Sequence, residues 1–277
     1  MKIVETVAEM QHLCRNLRTD HAPLGLVPTM GALHAGHLSL VRRAKSECAS
    51  VAATIFVNPL QFGPNEDLAK YPRTFDEDCR QLAAEGVHLL FAPTPAEMYP
   101  SGAATTISVS GIGDRLDGAS RPGHFTGVAT VVAKLFHIAQ PHRAYFGQKD
   151  AAQLAVLRQM ARDLNFDLDI VGCPIVRDAD GLALSSRNKY LSSTERTEAL
   201  ALHRALRRIE QAIAQGERQS ERLIQQALPE LANVKLDYLA TIDAQTLLPV
   251  TTVDPGTLIA VAAWVGQTRL IDNLLAN

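Results

Sequence analysis

The sequence has no CxxC pair, no long uninterrupted apolar run, no internal repeat, no low-complexity segment and almost no net charge. Each absence excludes something. The four cysteines, Cys14, Cys48, Cys79 and Cys173, stand far apart. That spacing argues against a zinc ribbon or a disulfide framework and for reduced, mostly buried thiols. No apolar stretch approaches the roughly 20 residues of a membrane-spanning helix. Met1-Lys2-Ile3-Val4-Glu5 lacks the profile of a secretory signal, so the expectation is a cytoplasmic protein. A formal net charge of −2 gives no reason to expect bulk binding to nucleic acid or membranes. What remains is 277 residues with 47% apolar and 20% charged side chains, ordinary for a globular protein and long enough for two cores of unequal size.

Apolar runs and helical patterns alternate through the first two-thirds of the chain. Strands are predicted at Gly25–Val27, Val51–Val57, Val87–Phe91, Ala144–Phe146 and Asp169–Gly172. Helices are predicted at His37–Glu47, Thr74–Ala84, Thr126–Ala139 and Ala151–Leu164. Strands that are apolar on both faces and joined by helices indicate an α/β fold with a Rossmann-like, doubly wound parallel sheet. Ala103–Ser110 is expected to add a peripheral strand, and Gly111–Gly127 reads as a long glycine-rich loop. The pattern changes near residue 175. After a loop at Val176–Ser193, a long amphipathic helix is expected from about Thr194, capped by Ser193 or Thr194. A second helix at Ser220–Leu231 and strands at Lys235–Ile242, Leu258–Val265 and Arg269–Leu274 follow. The division expected is 1–175 as the Rossmann-like domain and 176–277 as a small α+β domain.

Residues 28–38, Pro-Thr-Met-Gly-Ala-Leu-His-Ala-Gly-His-Leu, lie between a buried strand and a helix start. Gly31 and Gly36 allow unusual backbone angles and close approach of a ligand. The first turn of such a helix has unpaired N–H groups and the positive end of a dipole, a natural seat for phosphate. His34 and His37 stand three apart at that seat. An HxxH pair can hold a metal, but no third histidine or carboxylate has the spacing for one, so phosphate chemistry is favoured and no metal ligands are assigned.

Three further polar clusters fall after predicted strands or beside the domain boundary, where open parallel sheets bind ligands. Asn58-Pro59-Leu60-Gln61-Phe62-Gly63 offers amides either to a small acid or to its own turn. Gly147-Gln148-Lys149-Asp150 places Lys149 as a point charge for phosphate, with Gln153 one turn beyond. Asp150 suits either that site or a helix dipole. Leu184-Ser185-Ser186-Arg187-Asn188 brings two hydroxyls and a guanidinium, suited to a polyphosphate or idle in a hinge. Arg121-Pro122-Gly123-His124 can act as an anion clamp, and for His124 capping and function stay equally open.

Pro28–His37 resembles the HxGH motif of the nucleotidylyltransferase and class I aminoacyl-tRNA synthetase superfamily, and Leu184–Arg187 resembles its KMSKS-type loop. With Asn58–Gly63, Tyr71-Pro72-Arg73-Thr74, Arg121–Phe125 and Gly147–Asp150 in the same order, the chain resembles the pantothenate synthetase family nearly end to end. That resemblance implies an AMP-forming ligase that joins (R)-pantoate to β-alanine through an enzyme-bound pantoyl adenylate, with release of pyrophosphate. It places ATP on Met30, Gly31, Ala32, Leu33, His34, Ala35, Gly36, His37, Gly147, Gln148, Lys149, Asp150, Val176, Leu184, Ser185, Ser186 and Arg187. Pantoate falls to Gln61, Gln153, Asn58 and Arg121, and β-alanine to Gln61. His37, as proton donor, and His34, Lys149 and Arg187 are the catalytic set. Mg²⁺ held mainly by ATP and water, and a homodimer, are also implied. Leu184 replaces the family's usual Met at similar volume, and Ala35 replaces a larger residue between the histidines. A nucleotidylyltransferase would need an extra basic pocket for an acceptor phosphate, whereas Asn58, Gln61 and Gln153 are amides. A tRNA synthetase would need a basic tRNA face, and a regulatory module would not need this many charged groups.

Overall fold

The computed structural model describes residues 1–64 and 66–277. The chain divides into two compact units. One comprises Met1–Gly147 with Val156–Pro174, and the other Gln148–Ala155 with Ile175–Asn277.

The first unit is built on six parallel strands: β1 (Lys2–Val4), β2 (Leu24–Thr29), β3 (Ser50–Ile55), β4 (Leu89–Phe91), β5 (Arg143–Gly147) and β6 (Asp169–Cys173). Their order across the sheet is β1-β4-β3-β2-β5-β6. The chain therefore moves outward from β2 through β3 to β4, then returns to lay β5 on the other side of β2. The reversal between β2 and β5 is the position at which doubly wound sheets place ligands, outside the strands' carboxyl ends. Both central strands, β2 and β3, are buried almost throughout, which explains why they read as continuous apolar runs rather than alternating ones.

The helices joining these strands are α1 (Val7–Asp20), α2 (Ala35–Glu47), α3 (Phe75–Ala84), the single turns α4 (Pro95–Met98) and α5 (Asp117–Ser120), α6 (His124–Ala139) and α7 (Ala151–Asp163). Helix α2 packs beside α3, and α1 beside α6. Leu40, Val41 and Ala44 of α2 and Leu82 of α3 close over Val27, Val51, Ala53 and Leu90 of the sheet. All four cysteines are unpaired, with Cys14, Cys48 and Cys173 buried. Burial pushes the Cys14 thiol up to about 12 against the opposing pull of Arg18, so it stays protonated at neutral pH.

In the second unit, α8 (Ser193–Ala214) and α9 (Ser220–Ala227) cover an antiparallel sheet of β7 (Lys235–Ile242), β8 (Leu258–Val265) and β9 (Thr268–Leu275), in that order. The helical face Leu202, Ala205, Leu206, Ile209 and Ile213 packs on Ile259, Val261 and Val265.

Several expectations are corrected. The edge strand β1 and the helix α1 are additions to the elements expected from sequence. The α8 cap is Ser192, not Ser193 or Thr194. Its hydroxyl accepts the Glu195 N–H at 3.3 Å while Glu195 accepts the Ser192 N–H at 2.8 Å, a reciprocal capping box. The second helix closes after Ala227 and continues to Leu231 only as a 3₁₀ turn. Ala103–Ser110 forms no strand. The Ile107 N–H donates instead to the Thr130 hydroxyl of α6 at 2.9 Å, so this segment lies on a helix rather than in a ladder. The stretch Gly111–Gly127 is not open loop either: it contains a 3₁₀ turn at Ile112–Asp114, α5 and the start of α6.

Candidate active site

The turn leaving β2 is tied down from behind. The Thr29 hydroxyl donates to the Thr54 carbonyl at 2.6 Å and accepts the Gly31 N–H at 3.2 Å, which joins the ends of β2 and β3. Gly31 and Ala32 then take positive φ, +80° and +50°. The alanine is out of its preferred region, and the surroundings hold it there. The holder is Asp78 of α3, only 1% exposed. Its carboxylate accepts the Ala32 N–H at 2.9 Å, the Leu33 N–H at 2.8 Å and the Thr74 hydroxyl at 3.1 Å.

The helix start itself departs from the open phosphate seat expected from sequence. His34 is the N-cap of α2, and its Nδ1 accepts the Gly36 N–H at 3.1 Å. The Nδ1 of His37, at the third helical position, lies 3.4 Å from the His34 nitrogen, a long reciprocal contact. Two imidazoles thus play the part usually taken by Ser and Glu. The rings lie 4.1 Å apart, tilted by 36°. A ring nitrogen that accepts an N–H cannot carry a proton, so each neutral ring holds its hydrogen on Nε2. Backbone geometry therefore selects the tautomer, and each Nε2–H is a donor.

The turn after β3 forms a second network. Asn58 is buried, with 1% exposure. Its amide donates to the Gly127 carbonyl at 3.0 Å and to Gln61 Oε1 at 3.1 Å, while its oxygen accepts the Tyr99 hydroxyl at 2.8 Å and the Leu60 N–H at 3.3 Å. Of the two roles left open for Asn58, the turn-forming one is realised, and it orients Gln61. The Gln61 amide donates to Met30 Sδ at 2.9 Å, which brings the first two sequence clusters into direct contact.

Gly127 makes this contact possible. A Cβ there would lie 2.2 Å from the Leu60 carbonyl oxygen and 2.6 Å from the Gln61 nitrogen. Gly127→Ala gains roughly 1 kcal/mol of helix propensity but forces backbone apart, at a cost of about 1–3 kcal/mol. The expected outcome is a lower urea midpoint than wild type. A midpoint equal to or above wild type would show that the turn does not rest on this helix.

Arg121 is engaged within the protein. Its Nε and Nη2 each meet a Glu66 carboxylate oxygen at 2.6 Å. Nη1 lies 2.9 Å from His124 Nε2, and Nη2 reaches the Gln61 carbonyl at 3.3 Å. His124 Nδ1 donates to that same carbonyl at 2.8 Å. Burial, reinforced by the Arg121 cation, lowers His124 to about 4, so it is neutral at physiological pH. Burial works to raise the Glu66 carboxyl, but the Arg121 hydrogen bond and charge prevail and hold it below its ordinary range. Arg121 and His124 therefore fix the Gln61 backbone while Asn58 fixes its side chain.

The remaining expected residues belong to the second unit, apart from Gly147 at the end of β5. Gln148–Asp150 form a 3₁₀ turn directly after that strand, with Lys149 Nζ 3.6 Å from Asp150 Oδ1. Gln153 lies on α7 and is half-buried. Val176 and Leu184 face each other across a hairpin, where the Leu184 N–H donates to the Val176 carbonyl at 3.0 Å. Ser185 then caps a 3₁₀ turn, its hydroxyl accepting the Arg187 N–H at 3.3 Å. Ser186 is buried and Arg187 half-buried.

Sequence reasoning singled out neither Thr29, Glu66 and Tyr99 nor the part Asp78 plays. Each acts on a residue distant in the chain, and local pattern carries no signal of that.

The profile of the pantoate–β-alanine ligase family matches residues 2–275. A pantothenate synthetase of Koribacter versatilis is 58% identical over 278 residues, covering 99% of this chain and 96% of that protein. The crystal structure of pantothenate synthetase from Thermus thermophilus superposes with a TM-score of 0.94 at 49% identity, covering 99% of each chain. A pantoate–β-alanine ligase of Francisella tularensis, complexed with βγ-ATP and β-alanine, superposes with a TM-score of 0.80 at 35% identity, covering 99% of this chain and 97% of that one. With a family profile matched almost from end to end and relatives this similar over their whole length, the chain belongs to the pantoate–β-alanine ligase family.

Proposed function

We propose that the chain carries out the reaction of its family through the residues just described. A pantoate carboxylate oxygen attacks the α-phosphorus of ATP, the bond to the pyrophosphate oxygen breaks, and pantoyl adenylate forms. The β-alanine amine then attacks the acyl carbon, an amide bond forms, the amine loses a proton and AMP leaves. The observation that carries this reading is the Met30–His37 turn, with both imidazoles held as Nε2–H donors and the Gln61 amide against Met30. The binding of βγ-ATP and β-alanine by the Francisella tularensis relative supports the same ligands here.

Attack of one anion on another is slow because the charges repel and must be aligned, so positioning and fixed positive groups are the main requirements. In this proposal ATP lies along Met30–His37, with His37 donating to the phosphate oxygens as negative charge moves toward pyrophosphate. His34 holds the turn through its bond to Gly36 and offers a second donor. Gly147–Asp150, Val176 and Leu184–Arg187 supply the other nucleotide contacts, with Lys149, Ser185, Ser186 and Arg187 on the phosphates. Gln61 and Gln153 take pantoate, and Gln61 also borders β-alanine. Asn58 and Arg121 serve pantoate through their hold on Gln61. Among the described residues no group of three or more His, Cys, Asp or Glu side chains is placed to hold a metal. Mg²⁺, in this proposal, is held mainly by ATP and water, where it would offset phosphate charge. A homodimer in the cytoplasm completes the proposal.

The deciding measurement is pyrophosphate release from ATP and Mg²⁺ with pantoate alone, followed by pantothenate formation when β-alanine is added. If neither product forms, the proposal fails. Gln61→Ala is expected to raise the pantoate KM at least about tenfold, the worth of one lost hydrogen bond to a charged group, while the ATP KM stays nearly constant. An unchanged pantoate KM would remove Gln61 from the acid's binding site.

A further inference from the structure

The second unit contains a joint that the proposed function does not use. Asp272 and Asn273 are neighbours on β9, 4% and 3% exposed. Asp272 accepts both ends of the Arg177 guanidinium, at 2.6 and 3.0 Å, a bidentate pair at a nearly solvent-free carboxylate. Arg177 in turn donates to the Gly181 carbonyl at 3.1 Å and is bridged to Ala183 across the hairpin. That hairpin ends at Leu184, immediately before Ser185–Arg187. Asn273 holds a different segment. Its amide donates to the Gln148 carbonyl and the Lys149 carbonyl, each at 2.9 Å, and its oxygen lies 3.4 Å from the Gln148 amide. The Asn273 N–H donates to Asp272 Oδ1 at 2.8 Å, which links the two halves.

Two buried polar side chains placed side by side, each satisfied by a separate loop, are costly unless the loops must keep a fixed relation. Asn273 grips the Lys149 turn through the Gln148 and Lys149 carbonyls and the Gln148 amide, so the Lys149 ammonium is not engaged by this contact. We propose that Asp272 and Asn273 are positioning residues that set Lys149 and the Ser185–Arg187 turn in a single frame for the phosphates of ATP. This rests on the assignment of Lys149 and Arg187 to phosphate.

The test is a pair of double-mutant cycles read as pantoate-dependent pyrophosphate release at saturating substrate. Asn273→Ala is expected to lower kcat roughly 10- to 100-fold, the scale of an ångström's misplacement, with the pantoate KM little changed. In a Lys149→Ala background the same substitution is expected to cost less than about threefold, because a residue that acts through Lys149 has nothing left to position. A residue that matters only for folding would lower activity by the same factor in both backgrounds, and that result would overturn the proposal, as would an unchanged rate for Asn273→Ala. Asp272→Asn with Arg187→Ala forms the second cycle and carries the test alone if Asn273→Ala does not fold. If Lys149→Ala and Arg187→Ala both release pyrophosphate at the wild-type rate, the phosphate assignment itself falls. Slow single variants with multiplicative losses sink only the positioning role.

Discussion

His37→Ala is expected to slow pantoate-dependent pyrophosphate release about 100-fold or more, with a much smaller change in ATP affinity. The size follows from removing one preorganised donor at a phosphate whose charge grows during bond cleavage. The geometry also gives His37 a second task, since its Nδ1 receives the His34 N–H at 3.4 Å. A bond that long contributes little to stability, at most about 1 kcal/mol for a capping contact. Two further substitutions separate the tasks. The Asn side-chain oxygen falls near the position of Nδ1, so His37→Asn keeps the cap and loses the donor. His37→Gln places an amide N–H near the position of Nε2. Steady-state kinetics with Asn as slow as Ala, and Gln partly recovered, would assign the rate to Nε2–H. Should ATP affinity fall as far as kcat in His37→Ala, His37 is a binding residue and its part in the chemical step is lost.

The second large effect is expected at Asp78. Asp78→Ala removes the acceptor of the Ala32 and Leu33 N–H groups in a buried turn. Each unsatisfied buried donor costs about 1–3 kcal/mol, so a loss near 3 kcal/mol is expected even if water enters the gap. The turn that carries His34 and His37 also contains Ala32 at φ +50°, a conformation that Asp78 helps to hold by accepting the Ala32 N–H. The adenylation rate should therefore fall along with stability. Asp78→Asn keeps one acceptor but turns an NH₂ toward the other N–H, so an intermediate loss is expected. Urea unfolding and initial rates on the same preparations check both. A wild-type urea midpoint for Asp78→Ala would mean that the turn is held by other contacts.

Strands β2 and β3 were legible because burial on both faces writes itself as an unbroken apolar run. Helix α8 was legible because its apolar positions repeat at helical spacing. The two histidines were legible as a pair because Gly31 marks an unusual turn between a strand and a helix, whereas Gly36 lies inside α2 without a positive φ. Their tautomer was not, since it depends on which backbone N–H each ring meets. Gly127 misled the reading of Gly111–Gly127 as loop, because a glycine needed for close approach between backbones looks the same in sequence as one needed for a turn. Ala103–Ser110 misled it too, since an extended segment can end its hydrogen bonds on a helix side chain as well as on a strand.

The sequence by itself determined the class of sheet, the order of the main elements apart from β1, α1 and the strand expected at Ala103–Ser110, and the short candidate segments, because these rest on local periodicity and turn residues. Tertiary structure alone decided what holds those segments in place. Asp78 is 46 residues from the amide it caps at Ala32, and Asn273 is 124 residues from the Lys149 carbonyl. A hydrogen bond between two such positions depends on how whole elements pack, and neither partner's neighbours in the chain carry any trace of it.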